Sequence, residues 1–288
     1  MPAADALRDR LLRRIGLDGP PAPDDAGLRA VHRAFVSSIP YEDLSVQLGE
    51  SGPLDPEALC ERMLSGGRGG YCFEINTVLL TLLESLGFEV ERRQAVVGSR
   101  EAHADGQPTN HMGLVARTAA GNQWLVEAGW GEGPLDPIPL APGVTTVGAF
   151  SWELERDGDG WWISQHRYGS TDGFRFADAP SSLAEFAPHH ERLSTSPESD
   201  FVRVLVVEKP HDDRIETLRS RTVLIRGPGI EERELVPDSA VFAAVLSDRF
   251  GIDAEALGPE RLGRLWRQVV AQHREHLERR AASAGAEE

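Results

Sequence analysis

Apolar residues recur at the spacing of an α-helix throughout the first part of the chain. This spacing predicts one helix over 5–16, a second that begins at a cap on Asp25, and a third that begins at Asp55. A fourth helix follows Asn76 and ends before Gly87, and glycine is common just after a helix. The apolar positions of the fourth helix are Val78, Leu79, Leu82, Leu83 and Leu86. We therefore expect a helical unit at the amino end.

After residue 87 the apolar positions form short runs among glycine, proline and aromatic residues, a pattern typical of β-strands. The sequence Asp-Gly-Asp-Gly at 157–160 predicts a tight turn between two strands, and 182–187 predicts a short helix that ends at Pro188. The rest of the chain mixes strands and helices. The strands are predicted at 202–207, 221–226 and 231–235, and the helices at 241–250 and 259–282.

Two short apolar runs, 112–117 and 123–128, predict a β-hairpin whose three-residue loop ends at Gly121. In that register His111 and Glu127 are diagonal neighbours on one face of the hairpin. Diagonal neighbours are roughly 7–8 Å apart at the backbone, so a glutamate carboxylate can reach the imidazole. The hairpin thus predicts a histidine–carboxylate pair.

The charge and the cysteine content exclude several classes of protein. A chain of 288 residues with a net charge of −16 repels nucleic-acid phosphates, so we expect no nucleic-acid partner. No apolar run approaches the roughly 18 residues that span a bilayer, and the amino-terminal residues lack the apolar core of an export signal. Cys60 and Cys72 are too few for a disulfide framework or a four-cysteine metal site. We therefore expect a protein of the reducing cytoplasm, with no membrane partner and no metal.

Cys72 lies where a glycine-rich loop enters the fourth helix. Backbone N–H groups at a helix start are unpaired and carry partial positive charge, which favours a thiolate over a thiol. This position suits a nucleophile, although a buried cysteine can also be only a small apolar side chain. Cys60 follows Leu59 inside the third predicted helix, so we expect it to pack in the core.

Residues 68–76, RGGYCFEIN, resemble the active-site segment of the arylamine N-acetyltransferases. That segment consists of Arg-Gly-Gly, an aromatic residue, the nucleophilic cysteine, a second aromatic residue, glutamate and asparagine. Two further segments are similar to the family: 40–44, with Tyr41 and Asp43 in place of the family's phenylalanine and asparagine, and 194–201. By this resemblance Glu42 pairs with Arg68 and supports the loop that carries Cys72.

The resemblance also implies the fold. It predicts an α+β protein of the arylamine N-acetyltransferase type, which is similar to the cysteine proteinases. The expected units are an amino-terminal helical bundle over 1–87 that bears the cysteine, a central β-barrel over 88–192 that bears the histidine and the acidic residue, and a carboxy-terminal α/β lid over 193–288.

The family uses a Cys-His-Asp triad, and the resemblance assigns its members here. Cys72 matches the nucleophile, and His111 matches the histidine before an apolar strand. Glu127 stands at the position of the family's aspartate, which is the clearest departure of this chain from the pattern. Gly129 and Gly131 match the glycines that would let the chain of coenzyme A approach the backbone.

The implied reaction moves an acetyl group from acetyl-CoA, as acyl-donor cosubstrate, through a thioester on Cys72 to the nitrogen of an arylamine or hydrazine. One alternative within the same fold is an amide synthase that releases or cyclises a polyketide chain from an acyl carrier protein. A cysteine hydrolase of the papain or transglutaminase kind shares the order of nucleophile, histidine and polar third residue. A further alternative is a binding module without catalysis, which would form no acyl-cysteine with any thioester.

Overall fold

The computed structural model describes residues 2–100 and 107–284. Helices form most of the first 85 residues, and two antiparallel sheets form much of the remainder. The helices are α1 (Pro2–Arg14), α2 (Asp25–Ser38), α3 (Leu44–Gln47), α4 (Pro56–Met63), α5 (Cys72–Ser85), α6 (Leu183–Thr195), α7 (Asp200–Arg203), α8 (Ser239–Asp248) and α9 (Ala254–Ala284). The strands are β1 (Tyr41–Glu42), β2 (Glu89–Gly98), β3 (His111–Arg117), β4 (Gln123–Val126), β5 (Ile138–Pro139), β6 (Gly143–Val147), β7 (Phe150–Asp157), β8 (Gly160–Ser164), β9 (Gly173–Ala177), β10 (Val206–Pro210), β11 (Ile215–Arg219), β12 (Thr222–Gly227) and β13 (Ile230–Leu235). The expectation of an α+β protein is confirmed.

Helix α5 lies at the centre of the larger apolar core. Eleven of its residues are buried, and it packs against α1, α2, α4, β2 and β3. Its carboxyl end is followed by Gly87 at a φ of +89°, a left-handed conformation that glycine adopts without strain. The buried surroundings of α5 fix the position of its first residue, Cys72, relative to the sheet.

The larger sheet has eight antiparallel strands in the order β5-β4-β3-β2-β9-β8-β7-β6. The register of the β3–β4 hairpin is confirmed, because Leu114 lies opposite Val126 and the turn contains Gly121 at a φ of +85°. The tight turn between β7 and β8 is also confirmed, with Asp157 opposite Gly160. His111 is the first residue of β3, and the carbonyl oxygen of the preceding Asn110 lies beside Cys72 at the start of α5.

The smaller sheet links the two ends of the chain. Its order is β1-β10-β11-β12-β13, and a second apolar core lies between this sheet and the helices α8 and α9. In β1, Tyr41 is paired with Glu208 of β10 and also forms a bridge to Gly70 of the cysteine loop. The amino-terminal part thus contributes a strand to the carboxy-terminal sheet beside the cysteine. The division into three units stays a prediction, and its bound at residue 192 lies within α6.

Helix α6 differs from the predicted short helix over 182–187, because it continues through Pro188 to Thr195. Proline removes one backbone hydrogen bond, but tertiary contacts on both sides of it hold the helix. Phe186 before the proline is fully buried, and after it His190 bonds the Tyr71 hydroxyl and the carbonyl of Gly52. Packing outweighs the local rule here.

Other boundaries also differ from the sequence prediction. The cap of α2 is Asp24, whose carboxylate accepts a hydrogen bond from the N–H of Gly27, and not Asp25. The side chain of Asp25 instead bonds Thr118 and Trp124 of the β3–β4 hairpin. The predicted strand over 202–207 begins only at Val206, because α7 extends to Arg203. Within residues 2–100 and 107–284, no helix is long and apolar enough to cross a membrane.

The predicted contact between Glu42 and Arg68 is present. Nε of Arg68 lies 2.8 Å from Oε1 of Glu42, and the same carboxylate accepts hydrogen bonds from the backbone N–H groups of Leu44 and Gly69. Burial opposes the charge of Glu42, but the Arg68 guanidinium and these bonds outweigh burial and lower the pKa of the carboxyl. The stabilisation is therefore present above the ordinary carboxyl pKa and is lost as the pH falls through the lower pKa of the folded state.

Replacing Glu42 with glutamine leaves the Arg68 guanidinium without its counter-charge in a buried position. We expect Glu42→Gln to lower the free energy of unfolding by about 3 kcal/mol or more, as measured by urea denaturation. The matched control is Glu50→Gln, which breaks a more exposed contact with Arg261 and should cost less than about 1 kcal/mol. Equal losses in the two variants would contradict a supporting role for the Glu42–Arg68 pair.

Candidate active site

A cavity of about 490 Å³ brings the predicted site residues together. Its wall includes Cys72 from the start of α5, His111 from the start of β3, Gly129 from the segment after β4, and Glu208 from β10. A larger cleft of about 610 Å³ beside Arg226 is lined by neither cysteine nor histidine. The cavity with Cys72 is therefore the candidate active site.

The thiol of Cys72 is almost completely buried, and its Sγ lies 3.5 Å from the carbonyl oxygen of Asn110. Burial raises the pKa of the Cys72 thiol well above its ordinary value, and the charge of Glu127 raises it further. Hydrogen bonds from the backbone N–H groups of Phe73 and Met112 act in the opposite direction but do not offset burial. The helix start alone therefore does not produce a thiolate, and ionisation of Cys72 requires a proton acceptor in the same cavity.

His111 and Glu127 form the predicted pair. Nε2 of His111 lies 3.0 Å from Oε2 of Glu127, and both side chains are buried. An ionised carboxylate only accepts hydrogen bonds, so Nε2 carries the proton and Nδ1 keeps its lone pair. The imidazole also packs on the ring of Phe174, with 4.8 Å between the ring centroids. The bond to Glu127 thus orients the ring and leaves Nδ1 as the nitrogen that can accept a proton.

The carboxylate of Glu127 is held on its other oxygen by two donors. Oε1 accepts hydrogen bonds from Nδ2 of Asn76 at 2.9 Å and from the N–H of Gly129 at 2.7 Å. Asn76 follows Cys72 by one helical turn, and its side chain also bonds the backbone of Met112 and Ala128. The asparagine that ends the RGGYCFEIN segment therefore connects helix α5 to β3 and to the segment that follows β4.

His32 is a further site residue that the sequence analysis did not identify. Its Nε2 accepts a hydrogen bond of 2.9 Å from the N–H of Glu127, and its Nδ1 donates one of 2.9 Å to the carbonyl of Leu135. Burial lowers the pKa of His32, and this donor–acceptor pattern requires the neutral form. The available signal was a histidine on the apolar face of α2, between Val31 and Phe35.

Two other acids near the site serve other partners. Glu132 pairs with Arg226 and accepts hydrogen bonds from Ser170, whereas Asp136 pairs with Arg33. Neither carboxylate contacts His111. Glu127 is the carboxylate that the structure brings to the histidine.

The space beside the two predicted glycines is filled by protein. A Cβ atom on Gly129 would lie 2.8 Å from Cα of Cys72 and 2.7 Å from Nδ2 of Asn76, and one on Gly131 would lie 2.2 Å from Oε2 of Glu208. A side chain at either position would displace these groups. The absence of a side chain thus permits this packing, and contact of the glycines with coenzyme A stays a prediction.

Cys60 does not join the site. It is fully buried in the core beside Leu59 and Met63, and burial raises the pKa of its thiol to about 12. Both cysteines are free thiols. In the part of the chain that the structure describes, no cluster of three or more histidine, cysteine, aspartate or glutamate side chains could hold a metal ion.

The chain is similar in sequence to known N-acetyltransferases. A family model described as N-acetyltransferase matches residues 26–257. The arylamine N-acetyltransferase of Mycolicibacterium smegmatis is 36% identical over 251 residues, which cover 84% of this chain and 90% of that protein.

Solved structures of similar proteins have the same fold. The Mycobacterium marinum arylamine N-acetyltransferase in complex with CoA has a TM-score of 0.81 and 27% identity, and the match covers 90% of this chain and 97% of that chain. The Mycobacterium abscessus enzyme has a TM-score of 0.82 and 28% identity, with 93% of this chain and 96% of that chain covered. The fold implied by the sequence resemblance is confirmed, and the chain belongs to the arylamine N-acetyltransferase family.

Proposed function

We propose that the chain transfers an acetyl group from acetyl-CoA to the nitrogen of an arylamine or hydrazine through a thioester on Cys72. The observation that carries the proposal is the cavity in which a buried thiol and the His111–Glu127 pair lie together. The names of the relatives support the acceptor class, and the CoA complex of the Mycobacterium marinum enzyme supports the donor. Family membership favours transfer over hydrolysis.

In the first half of the reaction, His111 takes the proton of the Cys72 thiol on Nδ1. The thiolate attacks the thioester carbonyl of acetyl-CoA, the new C–S bond forms, and the bond to the CoA sulfur breaks. The departing thiolate receives the proton from the imidazolium and leaves as CoA thiol. One thioester replaces another, so this step is nearly balanced in energy.

In the second half, the uncharged nitrogen of the acceptor attacks the acetyl-cysteine carbonyl. His111 accepts a proton from that nitrogen and returns it to the sulfur as the C–S bond breaks, which restores the thiol. In both halves the imidazole becomes a cation, and the carboxylate of Glu127 stabilises it through the bond to Nε2. Asn76, the N–H of Gly129 and His32 hold that carboxylate and its backbone in place.

The proposal also includes the cellular location of the protein and the identity of its acyl donor. We place the protein in the reducing cytoplasm because both of its cysteines are thiols. A thioester on an acyl carrier protein remains the alternative donor, and the same Cys72 would take that acyl group.

Acetylation of Cys72 by acetyl-CoA tests the proposed function directly. Mixed with acetyl-CoA and no acceptor, the protein should gain one acetyl group in intact-mass measurements, and an added arylamine should remove it. Cys72→Ala should form no adduct, whereas Cys60→Ala should react like the wild type because Cys60 lies outside the cavity. Acetylation that is lost in Cys60→Ala but kept in Cys72→Ala would refute the assignment. Acylation by a carrier-protein thioester but not by acetyl-CoA would favour the amide synthase.

Alkylation by iodoacetamide measures the ionisation of Cys72, with Cys60→Ala as the background. The thiol should react below the ordinary cysteine pKa of about 8.5 when His111 is present. In His111→Ala, burial and the charge of Glu127 should move the reaction above pH 9, and Glu127→Gln added to that variant should move it back toward lower pH. The same pH profile with and without His111 would rule out the histidine as the base.

Single-turnover acetylation separates the role of Glu127 from the unknown acceptor. Glu127→Gln should slow acetylation on the order of a hundredfold or more, because an amide cannot stabilise the imidazolium and can present the wrong hydrogen-bonding group. Glu127→Asp should be less impaired, since it keeps the charge. Some loss remains because the shorter side chain reaches Asn76, Gly129 and His111 less well. Acetylation of Glu127→Gln at the wild-type rate would eliminate the triad.

A further inference from the structure

Two polar side chains in the cavity have no part in the reaction described above. Tyr41 of β1 and Glu208 of β10 are directly opposite each other in the smaller sheet, so their side chains share one face. Both line the cavity that contains Cys72, and the bridge from Tyr41 to Gly70 fixes them beside the nucleophile loop. The carboxy-terminal part of the chain thereby places a carboxyl group in the active site.

The carboxyl of Glu208 has hydrogen-bonding capacity to spare. Its Oε1 has only a long contact of 3.4 Å with the hydroxyl of Thr217, and within the described residues Oε2 has no hydrogen-bond partner. The hydroxyl of Tyr41 likewise has no partner in that part of the chain. Burial and the charge of Glu132 raise the pKa of Glu208 to about 8, against the opposing charges of Arg226 and Arg219. A cationic ligand stabilises the ionised form of such a carboxyl, because its positive charge offsets the cost of burying the negative one.

The charges around the cavity also favour a cation. Glu198, Asp200 and Glu208 line it, and Arg192 is the basic residue among the described residues of its wall. Glu132 also lines it, but Arg226 neutralises that carboxylate. These acids do not favour the phosphates of acetyl-CoA, so the substrate whose binding they can strengthen is the acceptor.

We propose that Glu208, beside Tyr41, binds a cationic group on the acceptor, so that the enzyme prefers arylamines that carry a second, positively charged group over arylamines that carry a carboxylate. This inference rests on the proposed acetyl transfer. The attacking nitrogen remains uncharged, and the cation recognised by Glu208 is a separate part of the acceptor. Glu208 acts here on the choice of acceptor and takes no proton in the reaction.

Three acceptors of similar size test the preference. The cationic one is (4-aminobenzyl)trimethylammonium, which has a fixed charge and a single nucleophilic nitrogen, and 4-neopentylaniline is its neutral isostere. The anionic one is 4-aminophenylacetate. The measurement is kcat/KM for removal of the acetyl group from acetylated Cys72 at about pH 9, where Glu208 is mostly ionised.

We expect the wild type to favour the cation over its neutral isostere by about tenfold and to disfavour the anion. Glu208→Gln should reduce the ratio of cation to neutral isostere to near one, and Glu208→Asp should keep a preference for the cation. The matched control is Glu198→Gln, an exposed acid on the same cavity, which should change the ratio much less than Glu208→Gln because water screens its charge. These ratios do not depend on the overall rate of a variant.

Two results would overturn the inference: a wild type that prefers the neutral or anionic acceptor, or a Glu208→Gln variant with the wild-type ratio. If neither variant of Glu208 folds, the wild type alone still tests the inference. Benzyltrimethylammonium should slow iodoacetamide labelling of its Cys72 more than phenylacetate does. Equal protection would refute cation binding. Acetylation of wild-type Cys72 by acetyl-CoA is measured first, so that a failure of the proposed function is recognised separately.

Discussion

The buried carboxylate of Glu127 is the group on which the arrangement of the site depends. Moving an ionised carboxylate out of water costs several kcal/mol unless partners replace its hydration. Here the partners come from three elements: the side chain of Asn76 on α5, the N–H of Gly129 after β4, and His111 on β3. Because each must be in place to satisfy the charge, the carboxylate couples the helix that carries Cys72 to the hairpin that carries His111.

This coupling matters because the position of Cys72 makes its thiol harder to ionise. A helix start offers partial positive charge, but the thiol is buried and lies near the negative charge of Glu127, and together these raise its pKa. In the proposed reaction a thiolate is therefore favoured only when its proton has moved to His111 and a positive imidazolium lies in the same cavity. The same carboxylate that disfavours a lone thiolate favours the imidazolium, so it selects proton transfer within the pair over loss of the proton to water.

Local rules in the sequence were sufficient where a single element decides the outcome. The loop length and Gly121 predicted the register of the β3–β4 hairpin, and with it the meeting of His111 and Glu127. They failed where packing between distant elements decides, as for the helix that continues through Pro188. His32 and Glu208 belong to the same class, because each reaches the site from an element whose neighbours are set by tertiary structure.

The glutamate at position 127 shows how the site accommodates a longer acid than the aspartate expected there. The pairing of β3 with β4 is regular up to Leu114 and Val126. The side chain of Glu127 turns back, and Oε1 meets the N–H of Gly129 only two residues further along. One carboxylate thus reaches both His111 and the N–H of Gly129, while His32 holds the amide of the same residue. Since backbone and carboxylate are held separately, the added length leaves the bond to His111 at an ordinary 3.0 Å.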